Sequence, residues 1–478
     1  MHIRGVPREQ AILLPERLED YITEDNPVRV IDALVQGFTD AEWAAMGFSK
    51  AIAENTGRPP YHPADLVALY LWGFLNRVIS SRNLEKASKT NVEVMWLLRK
   101  LRPDFWTISM FRRDNERAIR KLFRQFNQWC RGEDLFGGEL GGVDGSKFRA
   151  VNSKDRNFTR TKVERRLDEI DRAFEKYLDE IEQNDREEKT ETKVDREELE
   201  KKIERLRRRR SEIVEIVKQM DETGEDQVSL TDPESRSMKT GGSFNVCYNV
   251  QIAVDAKHGL IVATDVTNAP NDLQQLSHTA IEAKEFLQVE SLDLVADSGY
   301  SDSDELKKCE EAGIEPYVRR IKNSMNEKKG LFTKYDFIYD AEIDQYHCPN
   351  GSALKFSHLE NRENRQVKCY TTPACRDCGI RSLCTSGKER RIRRSVDEDL
   401  IERADRRARV RPEIMARRKG LVEHPFGTMK RWINGGYFLL KGLDGVKAEF
   451  DLAAMSFNIK RIITILGVEE FTARLRAA

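Results

Sequence analysis

The chain has 478 residues, 39% of them hydrophobic and 34% charged, with 81 Lys and Arg balancing 81 Asp and Glu. That length accommodates about two to four domains and a full core, while eight cysteines over such a span do not make a disulfide scaffold. With no run of 18 or more apolar residues and no apolar leader, the expectation is a cytoplasmic protein with no membrane span.

Residues 1–135 read as a helical domain. Val28, Ile31, Leu34 and Val35 share a face, Leu66 to Leu75 forms a more apolar helix, and Ser81–Leu98 and Ser109–Trp129 read as two more. Thr107 or Ser109 offers a cap, and Arg113, Arg117 and Arg120 fall on one face. Such a module serves DNA binding or dimerisation equally well.

The character changes at 136–159, where "GELGGVDGSKFRAV" reads as a glycine-rich strand and turn carrying Asp144. Residues 160–222 hold two apolar stripes. Val163, Leu167, Ile170, Phe174, Tyr177 and Ile181 make the first; Leu199, Ile203, Leu206, Ile213, Val217 and Met220 make the second, interrupted by Arg210. Steps of 3 and 4 with a polar turn near 183–195 predict an antiparallel helical hairpin. Alternation returns within 241–335: "FNVCYNVQIAVDAKHGLIVATDVT" reads as two strands around a turn, with Asp255 a turn former or a polar support. A helix over 272–287 follows, then strand, loop, helix and strand, giving α/β character. Residues 336–395 are cysteine-rich, and 396–478 read as helical. Net charge is zero, yet residues 387–419 carry 13 Lys or Arg against 7 Asp or Glu, either a solvated helical face or a patch for phosphate.

Three carboxylates stand out. Asp297 in "LVADSGY" ends an apolar strand, where open α/β sheets bind ligands, although a plain turn aspartate reads the same way. Asp144 lies between glycines in an apolar strand, where an unpaired carboxylate is costly. Two such groups on neighbouring strands would suit a hard divalent cation. Glu423 and Lys430 in "VEHPFGTMKRW" are seven apart, hence two helical turns apart on one face, with Pro425 holding Glu423 at or just before the first turn.

Taken with "HPADLVALYLWGFLNRVISSRNLEK", "PDFWTISMFRR", "GGVDGSKFRAVNSK" and "NVQIAVD", these stretches resemble the DDE transposases of bacterial insertion sequences, of the IS4/IS5 superfamily and most closely the IS1182 family. The resemblance implies a ribonuclease-H-like catalytic core in which Asp144, Asp297 and Glu423 are catalytic and bind Mg2+, with Mn2+ as a substitute. Lys430 would contact DNA phosphate. The positions seven and four residues before the glutamate, tyrosine and arginine in that signature, hold Ala416 and Lys419 here. Lys419 would keep a phosphate contact without arginine's fork. Double-stranded DNA with terminal inverted repeats and a target DNA are the implied partners, bound by a dimer or larger assembly. A metal-dependent nuclease without end specificity, or a non-catalytic DNA-binding descendant, are the other readings.

Within 336–395, Cys375-x2-Cys378 looks like half a zinc knuckle. Cys348, Cys375, Cys378 and Cys384 are the preferred set for a structural Zn2+, with Cys369 in reserve. Reduced thiols held by packing, or a redox pair, are the alternatives.

Overall fold

The computed structural model describes residues 17–52, 59–186, 192–320, 325–362, 365–433 and 435–477. Its N-terminal part contains α1 (Val28–Gln36), α2 (Asp40–Met46), α3 (Pro63–Leu75), α4 (Ser81–Thr90), α5 (Val92–Leu97), α6 (Phe105–Asp114) and α7 (Glu116–Gly132). Helix α3 is apolar all round and buried from Pro63 to Phe74, as a helix at the centre of a bundle must be.

Two expected helices are broken. Asn91, in extended conformation, ends α4 and caps α5 by accepting from the Val94 N–H. Further on, the cap of α6 is Asp104, which accepts from the Thr107 N–H at 2.7 Å, so neither Thr107 nor Ser109 caps it. Asn115 then interrupts the chain, donating to the Phe111 carbonyl and accepting from the Ser49 N–H. Arg113 therefore sits on a different helix from Arg117 and Arg120. Arg112 is buried against Tyr70, and its guanidinium lies 3.6 Å from Glu449.

The α/β core is a mixed sheet. Strand β1 (Leu140–Arg149) is one continuous ten-residue strand with no turn inside it. After it come β2 (Asn157–Thr159), α8 (Arg160–Arg186), α9 (Thr192–Thr223), β3 (Gln227–Ser229), β4 (Arg236–Thr240), β5 (Ser243–Asp255) and β6 (Ile261–Thr267). Next are α10 (Leu276–Leu287), β7 (Leu292–Ala296), α11 (Ser303–Glu311) and β8 (Ile314–Val318). The sheet runs β4-β5-β1-β7-β8, with β6 also on β5. Strands β4, β1 and β6 pair antiparallel to β5, whereas β7 is parallel to both β1 and β8. Asp255 proves to be a support: its carboxylate accepts from the Gly137, Gly138 and Lys257 N–H groups, tying the approach to β1 to the end of β5.

Helices α8 and α9 lie side by side, closed at one end by the β2–β3 pair. Val163, Ile170, Ile213 and Met220 are buried between them, as is Ile216. Arg210 turns outward onto Asp171, 2.9 Å away, and so leaves the apolar seam intact. The expected turn near 183–195 includes residues 187–191, which lie outside the described residues.

Beyond β8 and the short α12 (Met325–Lys328), a second sheet comprises β9 (Ile338–Asp340), β10 (Gln345–His347), β11 (Ala353–Arg362), β12 (Arg365–Thr371) and β13 (Ile392–Ser395). All its pairings are antiparallel, around Phe337, Tyr346, Leu354, Tyr370 and Ile392. The chain returns to the first sheet through α13 (Glu398–Val410) and α14 (Pro412–Arg418). After a further helical stretch it ends in α16 (Leu443–Leu466) and α17 (Val468–Ala477), with α15 (His424–Thr428) described below. Helix α16 packs on α7, β6 and α3, joining the N-terminal helices and the core sheet in one hydrophobic core.

One buried acid in that joint has a measurable consequence. Burial pushes the Asp451 carboxyl up to about 7, and the Thr264 hydroxyl and Arg120 offset this only in part. The folded state therefore holds a proton that the unfolded chain releases near pH 4. Stability from this group is complete below pH 4 and is lost as pH rises to 7. Asp451→Asn should remove that slope and stabilise the fold at pH 8 by roughly 1–3 kcal/mol, read by urea denaturation at pH 5 and 8.

Candidate active site

Asp144 and Asp297 meet because of strand register. In the parallel pair, Gly142 aligns with Val295, two residues before each aspartate. A period of two then sends both side chains to the same face of adjacent chains, roughly 5 Å apart. Asp297 follows β7 directly and caps the turn at Ser298–Tyr300, its Oδ1 accepting from the Gly299 N–H at 2.7 Å. It is both a turn former and a strand-end carboxylate. Asp302 caps α11.

Glu423 arrives on a helix laid across β1. Gly142 makes that approach possible: a Cβ there would lie 2.7 Å from Val422 Cγ1 and 2.8 Å from Leu421 Cδ2. Pro425 does not begin this helix. Helical structure runs from α14 through a π segment (Lys419–Glu423), α15 and a second π segment (Met429–Ile433). Proline has no N–H, so an α-register would strand the Leu421 carbonyl. The wider π turn just before it absorbs the disruption, and such bulges are frequent at functional sites.

The π turn also changes which basic residue faces the acids. One extra residue per turn brings Arg418, five before Glu423, onto the carboxylate side. Its guanidinium lies 3.4 Å from Glu423 and 3.9 Å from Asp144. Lys419 is exposed. Lys430 turns inward, donating to Ser146 Oγ at 2.6 Å with its ammonium over the Phe148 ring. Burial, and less strongly the nearby Lys147, lower its pKa. The segment after it is strapped to the end of β1 by Arg149 N–H to Gly436 O and Phe438 N–H to Arg149 O.

A fourth acid, Asp272, stands where the sequence predicts the start of a helix, but α10 begins only at Leu276. Its Oδ1 accepts from Asn249, Gln251 and Lys147 at 2.7–3.2 Å beside Gly145. Three donors on one oxygen hold it as a fixed negative charge near Asp144. Burial, with Asp297 and Asp272 adding repulsion, raises the Asp144 carboxyl to about 6 despite the Gly145 N–H and Arg418. Desolvated, mutually repelling carboxylates with oxygen as the donor atom form a set that a hard divalent cation relieves, so the residues fit magnesium.

The cysteines are separate from these acids. Cys348, Cys375, Cys378 and Cys384 line one small cavity at the end of the second sheet where β10 and β12 finish. Cys369 is buried elsewhere, on β12. It belongs with His358 and Glu360, a trio whose ligand atoms lie within 4.8 Å of one another and could hold a metal ion. Glu360 there is also paired with Arg393 at 2.9 Å.

In the basic stretch 387–419, most charges are internally matched. Arg394 forks onto Glu402, Arg403 and Arg407 hold Glu310, and Arg409 holds Asp405. Arg117, Arg120, Lys121 and Arg124 of α7 line one wall of an open cavity of about 270 Å³ against β6, a cavity that Glu282 and Asp451 also line, with Arg120 lying 3.7 Å from Asp451. No helix among the described residues is long and apolar enough to cross a membrane.

Comparison with known proteins bears on both halves. The family model "Transposase domain (DUF772)" matches residues 16–114, and "Transposase DDE domain" matches residues 347–463, which include Glu423 and Lys430. No curated protein matches the chain. Among solved structures, the piggyBac transposase in a synaptic complex with hairpin DNA aligns over 95% of this chain and 79% of its own, at 8% identity and a TM-score of 0.35.

Proposed function

We propose that this chain, which carries a DDE-type transposase domain behind an N-terminal transposase-associated domain, is the transposase of an insertion sequence of the IS1182 kind. It binds the ends of its own element, cleaves DNA strands there and joins them to a target. The observation that carries this reading is the convergence of Asp144, Asp297 and Glu423 through the β1–β7 register and the helix seated on Gly142. A central β1 with parallel β7 and β8 on one side and, on the other, antiparallel β5, itself paired antiparallel with β6, supports the ribonuclease-H-like core.

Asp144, Asp297 and Glu423 would hold magnesium, which supplies an activated oxygen nucleophile and stabilises the leaving 3′ oxygen. The chain's own residues shape the rest. Asp272, pinned by three donors, adds a fixed negative charge near Asp144. Arg418 spans Glu423 and Asp144, so a phosphate entering between them meets a planar fork already aimed at it. Lys430, held by Ser146 with its ammonium over the Phe148 ring, supplies a fixed point charge further along β1. Base recognition must come from elsewhere, because contacts to phosphate carry no sequence information. The α7 basic face is the leading surface for DNA, since the 387–419 charges are largely consumed in ion pairs.

Arg418→Ala should lower strand cleavage on the order of 10²-fold, and Arg418→Lys should recover only part of it. Lys419→Ala, on the exposed side, should stay within about threefold. Initial rates of nicking on an intact element-end substrate separate the two.

The reading itself is tested on linear DNA carrying the gene's native flanks with magnesium, beside an Asp297→Asn control. Nicks at the element ends and joined products, absent in the control, support it. Cuts at random positions would replace it with a general nuclease. Tight end binding without cleavage in magnesium or manganese would leave a non-catalytic DNA binder.

A further inference from the structure

The second sheet carries an observation that the chemistry above does not use. Four of the eight cysteines reach one cavity from two places in the chain. Cys348 opens the tight turn between β10 and β11, where Gly351, in left-handed conformation, donates its N–H to the Cys348 carbonyl at 2.8 Å. The other three come from the connection between β12 and β13. Cys375 closes a 3-10 turn, the Cys378 carbonyl accepts from Arg381 N–H, and Cys384 N–H donates to the Arg381 carbonyl. Each thiol is thus presented by a backbone turn, the usual manner of a zinc knuckle. The four thiols share this cavity, although among the described residues only His358, Glu360 and Cys369 bring three ligand atoms within 4.8 Å of one another, so an ion here would draw the four sulfurs together. No His, Asp or Glu lines this cavity.

Two further facts point to a bound ion. The chain from Pro373 to Arg391 contains only three-residue 3-10 turns, and the core beneath it is five buried side chains. Modules of that size ordinarily need a covalent or metal staple. In addition, Arg390 reaches the cavity beside Cys384, its guanidinium over the Phe337 ring and its buried Nε without a hydrogen-bond partner. A cation held there has an evident counterpart in a four-thiolate zinc centre, whose net charge is −2.

We propose that Cys348, Cys375, Cys378 and Cys384 bind one structural Zn2+, which clips the β10–β11 turn to the β12–β13 connection. On binding, the four thiols give up their protons and no electron moves. The coordination sphere is closed, so the ion takes no part in strand cleavage. Its effect on the acidic site is mechanical, through the mount of α13. Arg394 on β13 and Arg320 after β8 both grip that helix, at Glu402 and Asp405, and α13 leads on to Glu423. This inference stands apart from the transposase reading, and its test does not read DNA cleavage.

The test is metal content of the full-length protein, purified without a metal-affinity tag and measured by plasma mass spectrometry. One zinc per chain is expected, retained in Cys369→Ser and lost in both Cys378→Ser and Cys348→Ser. Because those two variants can misfold, the wild-type protein is also stripped and reloaded with Co2+. Intense thiolate-to-cobalt charge transfer with tetrahedral ligand-field bands would support four thiolate ligands. Zinc lost in Cys369→Ser but kept in Cys378→Ser would move the ion to His358, Glu360 and Cys369 and overturn the proposal. So would metal-free wild-type protein showing no thiolate bands with Co2+.

Discussion

Asp144→Asn is expected to abolish metal-dependent strand cleavage while making the metal-free protein more stable. The loss should be 10³-fold or more, at least about 4 kcal/mol of barrier, because an amide cannot supply the anionic oxygen a hard cation requires. The gain follows from the same environment. Burial and the neighbouring Asp297 and Asp272 raise the Asp144 carboxyl to about 6, so holding it ionised at pH 8 weakens the fold. The group's favourable contribution is complete below pH 4 and lost as pH rises through 6. An uncharged, isosteric amide keeps the Gly145 N–H contact and avoids the loss, worth up to about 2–3 kcal/mol. Thermal midpoints at pH 8 in chelator, set beside initial cleavage rates in magnesium, give both numbers. A variant that lost activity and stability together would mean Asp144 is a structural residue.

Glu449→Ala should be the most damaging single change outside the acids. Glu449 is fully buried, and its carboxylate accepts from the Leu439 and Leu440 N–H groups at 2.8–3.1 Å. It also faces Arg112 of α6, itself buried. Truncation strands two backbone donors and leaves a buried guanidinium without its anion, a combination that costs about 3–5 kcal/mol. Replacing both partners, as in Arg112→Met with Glu449→Leu, should cost less than the sum of the single changes. Calorimetric unfolding of the four proteins closes the cycle. A near-zero coupling would show that the carboxylate serves the Leu439–Leu440 turn alone.

Much of this site was legible in the sequence, for identifiable reasons. Flanking glycines single out Asp144 and an apolar run ending in Asp-Ser-Gly singles out Asp297 as candidates, because both signals are local, whereas their catalytic roles and that of Glu423 rest on the resemblance to DDE transposases. The heptad rhythm of 160–222 likewise gives the helical pair directly, and even Arg210 finds an outward partner in Asp171. What stayed hidden depends on hydrogen-bond register or on distant partners. A π turn has no signature in residue spacing, so counting back from Glu423 leads to Lys419 whereas the fold presents Arg418. Asp104 outcompetes Thr107 and Ser109 as a cap because Pro103 cannot continue a helix backward and the stronger acceptor stands directly after it. Asp272 looks like a helix opener until β5 brings Asn249 and Gln251 to it.

The order in which the acids occur along the chain has a temporal consequence. Asp144 and Glu423 are about 280 residues apart, and Asp297 lies between them. At roughly 5–20 residues per second, a ribosome needs on the order of 15–60 s to pass from the first acid to the last. Once β5 and β7 have been made, β1 can pair with both, yet the helix that seats on Gly142 is still to come. A nascent chain that has just passed β7 therefore displays two repelling carboxylates without their third partner and without Arg418, and the proposed strand scission must wait until Glu423 has been made.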